Sequence, residues 1–358
     1  MQKDYKCEIK DRLSRISPGN MVTVRHPLSP EEFPEKPPVG SSPAVPGTTG
    51  RSETKSSPAL TSEICLETSP DAQILVETYE LYPGIDLSYN YFLADQFHFH
   101  HHHKRSVLSI DHCSHGRIGW EMKGGLSLYF GSGDLSFHAT DKCADSFITL
   151  PLGYYEGLTV TLDSAVLATC SPSLLREAGV DAETLCRKFC GENETAALPA
   201  SSRIEHIFSE VYDLPEQTKL PYLKLKCLEL LLFLNMTEPG EAHTLDPYHS
   251  EQVETIRRIH DQIIRQPERR FTIEELSRQY HISTAVLKSI FKSVYGMPVA
   301  SYMKQYRITQ AARMLRCTSE PISVIARKAG YESQSKFTAA FKDCMKILPT
   351  DYRRQFHQ

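Results

Sequence analysis

Residues 283–292 read STAVLKSIFK, and residues 333–342 read SQSKFTAAFK. The two stretches match at a constant offset of 50 residues: each begins with serine, has an apolar side chain at its fifth position and ends in Phe-Lys. A serine placed before apolar residues spaced three and four apart is typical of a capped amphipathic helix. The repetition predicts two equivalent helices in the last third of the chain.

A shorter helix is predicted before each of these two. Thr272 and Glu275 have the spacing of a capping box, and His281 tolerates the turn conformation that would end this first helix. In the second half, Pro321 suits a first helical turn and Gly330 suits the turn that follows. Each half is therefore predicted to be a helix-turn-helix unit, whose second helix is the element that enters a major groove of DNA.

A long helix is predicted to join the two units. Pro298 suits its first turn, and helical spacing continues to about Arg316. At ~1.5 Å per residue this helix would be about 28 Å long. Successive major-groove faces on one side of B-DNA lie ~34 Å apart, so such a helix could hold two recognition helices in adjacent grooves.

The charge of the chain is unevenly distributed. Residues 251–358 contain 19 Lys and Arg against 10 Asp and Glu, a balance of +9, whereas the whole chain carries −4. No acidic residue lies between Glu275 and Glu320. A basic module on an acidic body favours a polyanionic partner, although a solvated basic surface would give the same charge excess.

The second helix-turn-helix unit and the residues after it contain a distinctive set of side chains: Ile325, Ala326, Gly330, Tyr331, Ser335, Phe337, Phe341, Lys342, Pro349, Tyr352 and Arg353. This set resembles the AraC/XylS family of bacterial regulators, and the resemblance extends from about Ser250 to Arg354. Two positions depart from the family pattern. Ala339 stands where a long side chain, often Arg, is common, and Lys346 stands where a glycine is expected. These departures concern the target sequence and not the fold.

The resemblance implies a transcription regulator that is not an enzyme, with double-stranded DNA and a small-molecule effector as partners and no cofactor. It also implies activation, contact with RNA polymerase and a possible homodimer. Base edges would be contacted by the outer positions of the two recognition helices, which are Thr284, Ala285, Lys288, Ser289, Gln334, Ser335, Thr338 and Ala339. Lys288 can read guanine and Gln334 can pair with adenine.

Basic side chains beside these positions are predicted to contact phosphates, which orients a protein on DNA without reading sequence. They are Lys292, Arg307, Arg313, Lys336 and Lys342.

Four regions are predicted along the chain. Residues 1–62 form a leader in which residues 17–62, rich in Pro, Ser, Thr and Gly, are expected to be flexible or disordered, since nine prolines lie between residues 18 and 58. Residues 63–170 contain β-prone runs separated by glycines, which favours a cupin-like β-barrel effector domain. Residues 171–248 form a helical layer and linker, and residues 249–358 form the DNA-binding domain. The predicted fold class is α+β multidomain, with a β-barrel and its helical layer preceding an all-α domain of two helix-turn-helix units.

The last helix of the helical layer has a wide apolar stripe ending at Leu234. This stripe could pack on the β-domain or on the same helix of a second chain, and the sequence does not choose between them.

A histidine-rich tract, QFHFHHHHK at residues 96–104, lies within the β-domain. In a strand, His98, His100 and His102 would share one face and could hold a metal. We also place His98, His100, His112 and Trp120 in a candidate effector pocket. The alternative function is therefore a cupin-type metal-binding protein or enzyme that carries an appended DNA-binding domain.

Other function classes receive less support. The longest apolar stretch, Leu228–Met236, is too short to cross a bilayer, and the ten cysteines lack the spacing of a disulfide framework. A cytoplasmic protein without a membrane partner is expected. A DNA-repair methyl acceptor, which is sometimes fused to this fold, would need a Pro-Cys-His tripeptide, and the sequence contains none.

Overall fold

The computed structural model describes residues 5–28, 63–65, 71–100, 107–122, 125–139, 145–190, 195–238 and 247–356. The strands are β1 Asn20–His26, β2 Glu63–Cys65, β3 Gln73–Tyr82, β4 Ile85–Leu93, β5 Gln96–His100, β6 Val107–Met122, β7 Leu126–Gly131, β8 Leu135–Ala139, β9 Asp145–Thr149, β10 Tyr155–Asp163, β11 Thr195–Leu198 and β12 Tyr248–His249.

The helices are α1 Tyr5–Arg12, α2 Ser164–Cys170, α3 Ser173–Glu177, α4 Ala182–Cys190, α5 Ser202–Phe208, α6 Glu216–Met236, α7 Ser250–Arg265, α8 Ile273–Tyr280, α9 Thr284–Tyr295, α10 Val299–Cys317, α11 Ile322–Lys328, α12 Gln334–Met345 and α13 Pro349–Phe356. Within the described residues, no helix is long and apolar enough to cross a membrane.

The N-terminal domain is a half-barrel sheet with a helical layer. Its main path runs β1-β3-β4-β10-β6-β9-β5-β2. The long strand β6 turns the corner of this sheet: its first half pairs with β8 and β10, and its second half pairs with β7 and β9. At the bend, Gly116 adopts a φ of +93°, a backbone conformation in which a Cβ would lie 2.3 Å from the Tyr154 carbonyl oxygen.

The sheet buries apolar side chains on both faces because successive residues of a strand point to opposite sides. One face carries Leu158, Val160 and Leu162 of β10 and packs against the helical layer. The opposite face carries a second cluster that includes Phe92, Phe130 and Tyr155. The β-rich domain and helical layer predicted from the sequence are both present.

The helix α6 packs on the sheet through its apolar stripe. Leu223, Cys227, Leu230, Leu231 and Leu234 are buried in the cluster that faces the helical layer. The structure thus assigns the stripe to the β-domain, the first of the two alternatives left open by the sequence.

The N-terminal residues contribute a helix and a strand to this domain. β1 pairs in parallel with β3 from Asn20 opposite Gln73 to His26 opposite Tyr79. The prediction of a flexible segment is therefore wrong for residues 20–26, because this stretch precedes most of the prolines and its backbone completes the sheet edge. Residues 29–62 lie outside the described part of the chain.

The C-terminal domain contains two separate apolar cores. The first lies among α7, α8, α9 and the start of α10 and includes Ile256, Leu287 and Phe291. The second lies among the end of α10, α11, α12 and α13 and includes Phe337 and Phe341. The predicted fold, two helix-turn-helix units joined by a long helix, is confirmed, and α10 covers 19 residues.

Candidate nucleic-acid interface

The first helix-turn-helix unit consists of α8 and α9. The Thr272 side chain accepts a hydrogen bond from the Glu275 amide, while the Glu275 carboxylate pairs with Arg269. The turn is made by His281, which has the left-handed φ of 53° that the sequence suggested, and Ser283 then caps α9. The first helix is thus capped by Thr272, as predicted.

The second unit repeats this arrangement with α11 and α12. Gly330 adopts a φ of +76° in the turn, and the Ser333 side chain accepts from the Lys336 amide. The recognition helices α9 and α12 each cover 12 residues and begin 50 residues apart. α12 ends at Lys346 with a φ of 61°, so a lysine adopts the left-handed conformation that Gly296 provides in the first unit.

The positions predicted to read bases lie on the outer faces of the two recognition helices. Six of the eight side chains are exposed, and Thr284 and Thr338 are half-buried. The opposite face of each helix is buried, with Phe291 and Phe341 fully enclosed. The fold therefore brings the predicted residues of each helix together on one accessible surface, while their contact with bases stays a prediction.

The five residues predicted to contact phosphates differ in their surroundings. Lys292, Arg313 and Lys342 are exposed, and Lys336 forms an exposed ion pair with Glu332 at 2.8 Å. Arg307 is half-buried, and its guanidinium donates to the backbone carbonyls of two residues in the loop after α7. Arg307 thus has protein partners where the sequence predicted a phosphate.

The N-terminal domain contacts the first recognition unit directly. Strand β12 pairs with β7, and the Tyr248 hydroxyl lies 3.5 Å from the Ser289 hydroxyl on α9. Arg117 of β6 donates a hydrogen bond to the Ser293 carbonyl near the C-terminal end of α9. Arg117 also lies against Gly296, where a Cβ would come 3.1 Å from its Cδ atom.

An aromatic side chain of the sheet completes this contact. Tyr129 of β7 is 4% exposed and belongs to the core of the first unit rather than to either core of the sheet. Arg257 of α7 donates to the Tyr129 hydroxyl at 3.4 Å and lies 3.7 Å from the Glu121 carboxylate. Arg117 and Tyr129 could not be identified from the sequence, because a contact between distant segments leaves no periodic signal.

A chain of polar side chains lies on the sheet face opposite the helical layer. Asn90 donates to the Thr159 hydroxyl at 2.8 Å, and Thr159 donates to the Asp111 carboxylate at 2.6 Å. The other carboxylate oxygen of Asp111 lies 3.1 Å from His138 Nδ1. The Trp120 ring stands at 88° to the His138 ring with centroids 4.6 Å apart, and its indole N–H is buried without an acceptor among the described residues.

Three of the four residues predicted to form an effector pocket, His98, His112 and Trp120, have described side chains, and these three do not share one face of the sheet. His112 lies on the face towards the helical layer, where it stacks on Phe208 at 3.9 Å and its Nδ1 lies 2.9 Å from the Tyr212 hydroxyl. His98 packs edge-on against Phe147 with centroids 4.9 Å apart. Phe97 and Cys113, which precede His98 and follow His112 in the chain, lie in the same core as Trp120. Because successive residues of a strand point to opposite faces, His98 and His112 point away from Trp120.

The predicted metal site falls mostly outside the described residues. His102 is not among them, and the side chain of His100 is not described. In the part of the chain that the structure does describe, no three His, Cys, Asp or Glu side chains are grouped as a metal ion would require. The metal-binding alternative therefore gains no support from the described geometry.

Comparison with known proteins gives matches in the C-terminal region. A family model described as a helix-turn-helix domain matches residues 276–355. A putative AraC-like transcription regulator from Streptomyces antibioticus is 36% identical over 90 residues, which are 25% of this chain and 30% of that protein. The transcriptional activator RhaR from Mannheimia succiniciproducens is 33% identical over 86 residues, or 24% of this chain and 31% of that protein.

A solved structure aligns over more of the chain. ToxT from Vibrio cholerae, with an unsaturated fatty acid bound, covers 78% of this chain and 98% of its own, with 11% identity and a TM-score of 0.30. The sequence matches described above span about 30% of the length of each relative. The C-terminal domain of this chain is an AraC-type helix-turn-helix domain.

Proposed function

We propose that this protein is a sequence-specific DNA-binding transcription regulator that contacts DNA through two recognition helices and is controlled by its N-terminal domain. The observation that carries the proposal is the pair of equivalent units with exposed outer faces on α9 and α12. The basic balance of residues 251–358 supports a polyanionic partner. The 19-residue helix α10 is of a length that suits recognition helices in neighbouring grooves.

The two recognition helices are expected to act unequally. Gln334 on α12 can pair bidentately with adenine, whereas Lys292 on α9 is placed to contact phosphate. Gln334→Ala should therefore relax discrimination between related sequences, by about 1–3 kcal/mol at one base pair. Lys292→Ala should weaken binding to all sequences alike.

The test is to select duplexes from a random pool with the full chain and then to measure affinities for single-base variants of the selected site. Gln305→Ala, an exposed change on α10, serves as the control. Engagement of six or more phosphates should lower affinity roughly a thousandfold between about 50 and 200 mM salt. A larger loss of discrimination in Lys292→Ala than in Gln334→Ala would contradict the division of roles, and salt-independent binding would contradict the phosphate contacts.

Control by a small-molecule effector is part of the proposal. The row of polar side chains on the sheet ends at Asp111, His138 and Trp120. The two rings offer hydrogen-bond donors and the Asp111 carboxylate offers an acceptor, which would suit a small polar ligand. The buried indole N–H of Trp120 supports this assignment, because a ligand oxygen could satisfy it. β6 carries Asp111, Trp120 and also Arg117, so one strand connects this polar chain with the contact to α9.

The contact between domains is expected to restrain the first recognition helix. In the docked arrangement, Ser289, a predicted base-reading residue, lies against Tyr248. Arg117→Ala removes the guanidinium that holds α9, so it should shift the population towards undocked molecules and raise DNA affinity up to roughly tenfold. Hydrogen exchange in β7 and α7 should rise in parallel.

The control for this prediction is Arg187→Ala, whose exposed pairing with Glu183 lies on α4, away from the contact. Unchanged DNA affinity and unchanged exchange in Arg117→Ala would show that the contact does not restrain α9. Lower affinity would show that docking supports DNA binding instead.

The proposal also includes activation of transcription through contact with RNA polymerase, and assembly of the protein into a homodimer. The outer face of α6 supports dimerisation, because Leu225 is 66% exposed and Met236 is 75% exposed. Sedimentation of the full chain at several concentrations would test it, with Leu225→Glu expected to favour the monomer.

A further inference from the structure

The junction between the two helix-turn-helix units lies in the middle of α10. Met303 belongs to the core of the first unit, and Tyr306 packs at its edge. Ile308 belongs to the core of the second unit. Arg307 therefore stands at the boundary between two cores that share no buried residue.

The guanidinium of Arg307 is fixed at this boundary by two backbone acceptors. Its Nε donates to the Pro267 carbonyl at 2.5 Å, and its Nη2 donates to the Arg269 carbonyl at 2.8 Å. Both acceptors lie in the loop between α7 and α8, which belongs to the first unit. A planar guanidinium can satisfy two such acceptors at once, whereas a lysine ammonium is a single point charge on a flexible stem.

The turn of the second unit packs on the same atoms. A Cβ on Gly330 would lie 2.8 Å from the Pro267 carbonyl oxygen, 3.0 Å from the Glu268 Cα and 3.3 Å from the Arg307 Nε. The loop of the first unit, the helix between the units and the turn of the second unit thus meet at one carbonyl. A change at this point would therefore disturb contacts of both units at once.

We propose that Arg307 is a positioning residue that fixes the relative orientation of the two recognition helices. The inference rests on the proposed DNA-binding function. In it, Arg307 sets the spacing of the two half-sites, the DNA segments that each recognition helix contacts, and does not contact a phosphate. With a fixed angle, binding of one recognition helix presents the other to its groove at high effective concentration. Without it, each unit binds its half-site with little benefit from the other.

The experiment uses the full chain and three duplexes derived from a site selected out of a random pool. The first duplex is intact, the second has one half-site scrambled, and the third has about 5 base pairs, half a helical turn, inserted between the half-sites. The wild type should bind the intact duplex at least tenfold more tightly than the other two, on the order expected from effective concentration. Arg307→Lys should bind the single half-site like the wild type but lose most of this preference.

Matched variants separate positioning from charge. Arg307→Gln removes the charge, Gly330→Ala disturbs the same contact from the second unit, and Gln305→Ala is the control on α10. Gly330→Ala should lose the preference as Arg307→Lys does, and it replaces that variant if Arg307→Lys does not fold. Gln305→Ala should keep the preference.

Two results would overturn the proposal. In the first, Arg307→Lys keeps the wild-type preference for the intact duplex. In the second, Arg307→Gln weakens binding to all three duplexes and lowers the salt slope by about one, as loss of a phosphate contact would, while Arg307→Lys behaves as the wild type.

A measurement without DNA distinguishes failure of this proposal from failure of the proposed function. Hydrogen exchange of the amides at residues 266–272 should accelerate in Arg307→Lys if the guanidinium holds the loop. Unchanged exchange would overturn the inference even if the protein binds DNA. If the wild type binds no duplex, the DNA-binding function fails, and the exchange result still decides whether Arg307 orders this junction.

Discussion

Alanine in place of Phe341 is expected to unfold the second helix-turn-helix unit while the first remains folded. Phe341 is 0% exposed at the centre of the second core. Loss of a buried phenylalanine side chain costs about 3–5 kcal/mol, a large part of the stability of a small domain. Because the two cores share no buried residue, the loss should be confined to α11, α12 and α13.

Hydrogen exchange read separately for the two units measures this effect. Amides of α12 should lose protection in Phe341→Ala, and amides of α9 should keep it. Phe291→Ala, in the first core, is the matched variant and should give the reverse pattern. Equal loss of protection in both units from either substitution would show that the domain unfolds as a single cooperative unit.

The N-terminal domain is expected to contain two buried groups with opposite responses to acid. Burial lowers the pKa of His112 to about 3, with a further contribution from His115. Burial raises the pKa of Asp86 to about 6, while Arg25 at 3.2 Å acts in the opposite direction. His112 therefore favours its neutral form in the folded protein, and Asp86 favours its protonated form.

The two linkage effects oppose each other between pH 7 and pH 4.5. The unfolded state takes up a proton on His112 below its ordinary pKa of 6.5, so stability falls as the pH falls, by about 2–3 kcal/mol at pH 4.5. In the folded state Asp86 takes up a proton below pH 6, whereas in the unfolded state its pKa is the ordinary 3.8. Stability therefore rises by about 2 kcal/mol as the pH falls over the same interval. The wild type should show a small net change.

Single substitutions should expose each contribution. Asp86→Asn should make the domain about 2–3 kcal/mol less stable at pH 4.5 than at pH 7, and His112→Phe should make it about 2 kcal/mol more stable at the lower pH. Trp120 is the single tryptophan of the chain, so its fluorescence during unfolding reports on this domain. Identical pH profiles for the wild type and both variants would contradict the assignment of these groups.

The C-terminal fold could be predicted from the sequence because its signals are local. A serine cap, apolar spacing and a turn residue each act within a few positions, and their repetition 50 residues later confirmed the pattern. The same reasoning identified the outer positions of both recognition helices, although their contact with bases stays a prediction. His281 was correctly placed in the turn, since its left-handed φ is a local property.

The roles of Arg307, Arg117 and His112 could not be predicted in this way. Each is determined by a partner far away in the chain, such as the Pro267 carbonyl, the Ser293 carbonyl or the Phe208 ring. A basic residue in a basic helix resembles a phosphate contact until its neighbours are known. A histidine beside a histidine-rich tract likewise resembles a ligand until strand alternation places it on the opposite face.

The parallel pairing of β1 with β3 has a practical consequence for anyone who shortens this protein. Removal of the first 28 residues would take away β1 and leave one edge of β3 unpaired from Gln73 to Tyr79, while its other edge stays paired with β4. An unpaired strand edge of that length is a template for pairing with other chains. Variants truncated to the β-prone region would therefore be prone to aggregation, and recombinant work on the N-terminal domain should retain residues 1–28.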